Sequence, residues 1–129
     1  MRSNLDAARE YYGALTGRGA AALLAIFHPD AELRLTDGSP NGLGGLYRGG
    51  RAVLGALGRV AEVYDVVARP ETLLDAEGDR VVLGRYVGGA RATGRPLAAF
   101  AHVLKFREGC VARHTQVTDS SRWANALGA

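Results

Sequence analysis

Between residues 66 and 118 the chain divides into four strand-forming runs, Val66–Leu74, Arg80–Arg91, Leu97–Phe106 and Val111–Thr118. They are broken at Glu77-Gly78-Asp79, Thr93-Gly94-Arg95-Pro96 and Arg107-Glu108-Gly109, all turn compositions that join neighbouring strands as hairpins. An antiparallel meander follows. Pro70 has no amide hydrogen to give to a ladder, so the first of these strands is expected at an edge or with a bulge.

The preceding half has a different period. Leu5, Ala8, Tyr12 and Leu15 recur at helical spacing, and Ser3 with Asp6 three residues on matches a capping pair. A second short helix is predicted over Ala20 to Phe27, ending at His28-Pro29-Asp30, because a proline disfavours helical geometry in the residue before it. Leu33, Leu35 and Asp37 then alternate with Glu32, Arg34 and Thr36, the pattern of a half-buried strand. The Gly-, Pro- and Asn-rich stretch Gly38 to Gly50 reads as loop, and Val53, Leu57, Val60 and Tyr64 mark a third amphipathic helix. Asp119 is placed to cap a closing helical turn carrying Trp123 and Leu127. Helices first and strands afterwards define an α+β fold, a single domain of 129 residues with three helices packed on the concave face of a curved antiparallel sheet.

Composition narrows the partners. With 47% hydrophobic and 22% charged residues the chain can bury an ordinary core, and no apolar run reaches the ~20 residues that cross a bilayer. The net charge of +3 is dispersed, with arginines interleaved among Asp and Glu, which is not the gathered cationic face that nucleic acid requires. The start lacks the apolar stretch of a signal peptide and the single cysteine cannot form an internal disulfide, so a cytoplasmic location is expected. His28, His102 and His114 have no carboxylate or thiol at metal-ligand spacing, and the glycines of 42–50 do not follow the wording of a nucleotide loop, so neither metal nor cofactor is expected.

Four segments in order carry a resemblance: Phe27-His28-Pro29-Asp30-Ala31-Glu32, Gly45-Leu46-Tyr47-Arg48-Gly49 followed by Ala52-Val53-Leu54, Phe100-Ala101-His102-Val103, and Gln116-Val117-Thr118-Asp119. In these the chain resembles the nuclear transport factor 2-like superfamily, whose members include SnoaL-like and ketosteroid-isomerase-like proteins. The resemblance implies a cone-shaped, cystatin-like cup, commonly homodimeric, enclosing an apolar pocket. It does not imply one reaction, because members range from isomerases and cyclases to proteins without catalysis.

The candidate chemistry rests on inward polar residues that interrupt apolar faces. His102 shares its strand face with Phe100, Leu104 and Phe106, where a titratable ring needs a partner. The resemblance places an oxyanion donor at its position, and another at Tyr11 in helix one. Asp37 is the candidate proton acceptor if alternation with Leu33 and Leu35 points it inward, although the family's base falls nearer Leu35 and Asp before Gly is also a routine turn former. His114, Gln116 and Thr118 share one face of the last strand, and Gln116 stands where SnoaL-like cyclases and limonene-epoxide-hydrolase-like enzymes carry an acid. The hydrolase pattern also wants an arginine and an aspartate where Gly84 and Tyr86 stand, which disfavours epoxide hydrolysis. Tyr86, His114, Gln116, Phe100 and Leu35 are expected to line the cup.

The function expected from these residues is a cofactor-independent acid/base enzyme of isomerase or cyclase type. Its substrate would be an apolar carbonyl compound such as a polyketide, terpenoid or steroid-like ring, with Asp37 as base, His102 and Tyr11 as donors, and Gln116 and Tyr86 as orienting groups. The rival is a non-catalytic binding or dimerisation module. Leu97, Ala99, Ala101 and Val103 make the opposite face of their strand apolar too, which predicts a second subunit covering it.

Overall fold

The computed structural model describes residues 3–17 and 19–128. Helix α1 (Asn4–Leu15) starts as its sequence dictates, with Ser3 Oγ accepting the Asp6 amide at 3.1 Å, and it buries Ala7, Ala8, Tyr11, Tyr12 and Ala14. Helix α2 (Ala20–Ile26) passes directly into β1 (Phe27–Leu35), one residue before the expected end of the helix. Pro29, which cannot donate, sits in the interval of β1 where pairing with the last strand loses register.

The stretch read as loop contains a strand. β2 (Gly45–Arg48) pairs antiparallel with β1, matching Leu33 with Tyr47 and Leu35 with Gly45. Four residues inside a glycine-rich run carry too little periodicity to register as a strand, and only the partner strand defines it. Helix α3 (Gly50–Val63) follows, then β3 (Tyr64–Ala76), β4 (Asp79–Ala90), β5 (Ala99–Arg107), β6 (Cys110–Thr118) and a short α4 (Ser120–Asn125) capped by Asp119. The β3–β4 and β5–β6 hairpins both turn on a Glu-Gly pair with positive φ, 55° and 96° at Glu77-Gly78 and 54° and 74° at Glu108-Gly109. That is the two-residue geometry that matches the twist of the flanking strands.

The six strands form one open, curved sheet in the order β2-β1-β6-β5-β4-β3. The sheet is mixed, not wholly antiparallel: β1 runs parallel to β6, because the chain enters the sheet at β1 and returns beside it only after the whole meander. β3 is an edge strand, and its register shifts between Pro70 and Thr72, so the proline accounts for both position and bulge. The inner face carries Leu33, Val82, Phe100, His102, Leu104, His114 and Gln116, all buried beneath the helices. On the outer face Leu83, Ala101 and Val117 form a cross-strand row, and Leu83 and Val117 are exposed. Leu97 does not join this row; it precedes β5 and is buried.

Candidate functional site

A cavity of about 370 Å³ opens between the inner face of the sheet, the α1–α2 corner and α3. Its wall is mostly aliphatic, with Leu23, Leu33, Leu35, Leu54, Leu57 and Val60 among the lining residues. Polar side chains enter from β4, β5 and β6: Tyr86, His102, His114 and Gln116. Strand alternation puts them on one face, and the ladder register sets His102 opposite Gln116 on β6 and Val82 on β4.

Each polar group is held from behind. Tyr11 Oη lies 2.7 Å from His114 Nδ1, and Tyr12 Oη lies 2.7 Å from His102 Nδ1. His102 Nε2 meets Tyr86 Oη at 2.9 Å, and Gln116 Nε2 donates to the same phenol oxygen at 2.8 Å. Gln116 Oε1 accepts the Thr36 amide at 3.1 Å and the Thr36 hydroxyl at 3.1 Å, which anchors the carboxamide to the end of β1. The His102 and His114 rings lie 4.2 Å apart, and Phe100 stacks on His102 at 3.9 Å. His114 Nε2 is buried without a hydrogen-bond partner among the described residues.

Burial sets the protonation. Desolvation, followed by the neighbouring His114, pushes the His102 imidazole well below the ordinary histidine range, and burial brings His114 down to about 3. Desolvation raises the phenols of Tyr11, Tyr12 and Tyr86, the last partly offset by the Gln116 hydrogen bond. Near neutral pH the site therefore consists of uncharged imidazoles and protonated phenols. Among the described residues no Asp, Glu, Lys or Arg lines the cavity, and no three His, Cys, Asp or Glu side chains meet as a metal site.

Of the residues read from the sequence, His102, His114, Gln116, Tyr86 and Leu35 line the cavity together. Tyr11 and Phe100 do not reach it; Tyr11 backs His114 and Phe100 backs His102. Asp37 is not brought to the site. β1 ends at Leu35, and Asp37 lies exposed in a turn closed by the Ser39 amide on Thr36 O at 3.2 Å. The alternation that pointed it inward holds only while the strand lasts. Tyr12 and Thr36 were missed as members of the network. Tyr12 lies next to Tyr11 on the buried face of α1 and looks like packing, while the role of Thr36 depends on the β1–β6 pairing. Trp123, carried by the closing helical turn, is buried and also lines the cavity.

No residue other than glycine fits at position 84 on this backbone. A Cβ there would lie 2.1 Å from Arg69 O and 2.7 Å from Phe100 Cζ, so the arginine of the epoxide-hydrolase pattern has no place.

The SnoaL-like domain family matches residues 8–114, from within α1 to within β6, and so includes Tyr86, His102 and His114 but neither Gln116 nor Trp123. The chain belongs to that family. This SnoaL-like domain is similar over its whole length to two nuclear transport factor 2-like proteins, one of unknown function from Burkholderia pseudomallei (28% identity, 100% of both chains, TM-score 0.88) and one from Burkholderia thailandensis (27% identity, 100% of both chains, TM-score 0.87). Its fold is also that of TerC co-crystallised with polyporic acid (24% identity, 98% of both chains, TM-score 0.85). No curated protein matches the SnoaL-like domain. None of its helices, among the described residues, is long and apolar enough to cross a membrane.

Proposed function

We propose that the cavity binds an apolar, carbonyl-bearing small molecule and polarises its oxygen with uncharged donors, as a cofactor-independent isomerase or cyclase would. The observation that carries this is the buried His114 Nε2, which has no partner among the described residues although His114 lines the cavity. A buried polar atom left unmatched costs about 1–3 kcal/mol, and a ligand oxygen would recover it. An apolar wall with a few convergent polar groups is the usual form of a small-molecule site. Both imidazoles stay neutral, so stabilisation of developing negative charge would come from hydrogen bonds placed in advance. With Asp37 outside the cavity, the proton acceptor would be water or a group of the substrate itself.

A second reading, non-catalytic binding, is favoured by Gln116 at the position of the family acid, because a carboxamide does not transfer protons at ordinary pH. Molecules retained from a cell extract, identified by mass before and after incubation, test both readings. An apolar carbonyl compound kept by the wild type and lost by His114→Phe supports the site, and conversion of that compound supports the enzyme. Recovery of the compound unchanged supports the binder, and retention of nothing, or of a molecule without an acceptor oxygen, overturns the site.

We also propose a homodimer through the outer face of the sheet. Val117 is 55% exposed and Leu83 42% exposed, on either side of Ala101, and a row of this kind favours cover by a second copy. Light scattering at micromolar concentration is expected to give twice the chain mass.

A further inference from the structure

The hydrogen bonds of the site can be followed atom by atom, because one end is fixed by the backbone. The Thr36 amide can only donate, so the Gln116 atom 3.1 Å from it is the carbonyl oxygen. Gln116 Nε2 therefore faces Tyr86 and donates to its oxygen. Neutral His102 has one ring hydrogen to place between Tyr12 and Tyr86.

If the hydrogen were on Nδ1, it would go to Tyr12 Oη, and Tyr86 would donate to Nε2. The hydroxyl hydrogen of Tyr12, a residue only 4% exposed that does not line the cavity, would then have no acceptor among the described residues. With the hydrogen on Nε2, Tyr12 donates to Nδ1, His102 donates to Tyr86, and the unmatched hydrogen belongs to Tyr86, which does line the cavity. Only the second arrangement leaves the packed core satisfied. The same logic applies to His114. Tyr11 is fully buried with His114 Nδ1 as its partner, so Tyr11 donates and the ring hydrogen sits on the unpartnered Nε2.

We infer that, among the described residues, Tyr86 Oη–H and the buried His114 Nε2–H are donors left unmatched at this cavity while Tyr86, His102, His114 and Gln116 leave no side-chain acceptor unmatched, so that their wall selects ring ketones and quinone-like ligands whose oxygens only accept. The inference rests on the small-molecule reading above and adds the chemical class. Tyr86 oxygen is already filled by Gln116 and His102, and Gln116 Oε1 by Thr36, so a ligand hydroxyl would find nothing to donate to among these groups. Two accepted hydrogen bonds also polarise the Tyr86 hydroxyl and strengthen it as a donor. Gln116 is thus a positioning residue: its amide sets the direction in which the Tyr86 proton points.

Two measurements test this separately. Imidazole ¹⁵N shifts of the unliganded protein at neutral pH read the tautomers directly. Both rings are expected with the hydrogen on Nε2, and a hydrogen on Nδ1 of either ring overturns the donor assignment whatever binds. Quenching of Trp123, the single tryptophan and a cavity residue, then reports binding of three probes of matched shape: 1-tetralone, 1,2,3,4-tetrahydro-1-naphthol and tetralin. The ketone is expected to bind about tenfold more tightly than the alcohol, with the hydrocarbon weakest. In Gln116→Glu the carboxylate would draw the Tyr86 hydrogen to itself, and the preference for ketone over alcohol should collapse; in Tyr86→Phe it should shrink likewise. Equal binding of ketone and alcohol, or a preference untouched in Gln116→Glu, overturns the inference. Failure of all three probes to bind, with both tautomers as assigned, overturns the binding reading itself.

Discussion

Tyr11 and Tyr12 are adjacent in sequence and hold different histidines, His114 and His102, each through a 2.7 Å hydrogen bond to Nδ1. The two phenols lie on the same buried face of α1 and address neighbouring strands, β6 and β5. One turn of helix thus fixes the orientation of both rings.

Removing either hydroxyl should cost stability without opening a large void. Tyr11→Phe leaves His114 Nδ1 unmatched inside the core and is expected to lower the unfolding free energy by about 1–3 kcal/mol. Urea denaturation measures it, and a midpoint unchanged from wild type would show that the contact contributes nothing net.

The two imidazoles also predict an acid limb in stability. The unfolded histidines titrate near 6.5, while in the fold His102 lies well below that range and His114 at about 3. Below pH ~6.5 the unfolded chain therefore binds more protons, so stability falls as pH falls, by at most ~1.4 kcal/mol per pH unit for each ring. The fall from His114 continues to about pH 3, and above pH ~6.5 neither ring contributes a slope. Denaturation series at several pH values should give a shallower acid limb for His114→Phe than for wild type; parallel limbs would contradict the burial argument.

Gly84→Ala places a methyl group where Arg69 O already lies 2.1 Å away. Because the obstacle is backbone in the paired strand, relief requires the β3–β4 ladder to move, and a loss on the order of 3 kcal/mol is expected in thermal or chemical unfolding.

On the outer face, Val117→Glu sets a charge in the exposed row with Ala101 and Leu83. The variant should sediment as a monomer while keeping the wild-type circular dichroism; a dimer of undiminished affinity would place the interface elsewhere.

Asp37→Asn should change neither stability, beyond ~0.5 kcal/mol, nor the affinity of any cavity ligand, since the carboxylate lies exposed outside the cavity. A large loss of binding in this variant, followed by tryptophan quenching, would mean that the turn at Thr36–Ser39 closes over the mouth.

Features that depend on local pattern were legible in the sequence. The Glu-Gly hairpins, the caps at Ser3 and Asp119 and the edge position of Pro70 follow from residue type and spacing, and so does the inward face shared by His102, His114 and Gln116. Features that depend on distant pairing were not. β2 exists because β1 is beside it, the β1–β6 contact is parallel because the chain returns from far away, and Thr36 joins the site only through that contact. Asp37 illustrates the boundary between the two: alternation was extrapolated one step past Leu35, where the strand had already ended.

The position of β6 also governs how the protein can be made. It lies between β1 and β5 in the sheet, yet it is the last strand to be synthesised. While the ribosome is still building residues 110–118, β1 can pair with β2 and β5 with β4, but the edges that face β6 stay open and are exposed to other nascent chains. Folding must wait for that segment to emerge, so any pause in translation just before it should favour aggregation over assembly.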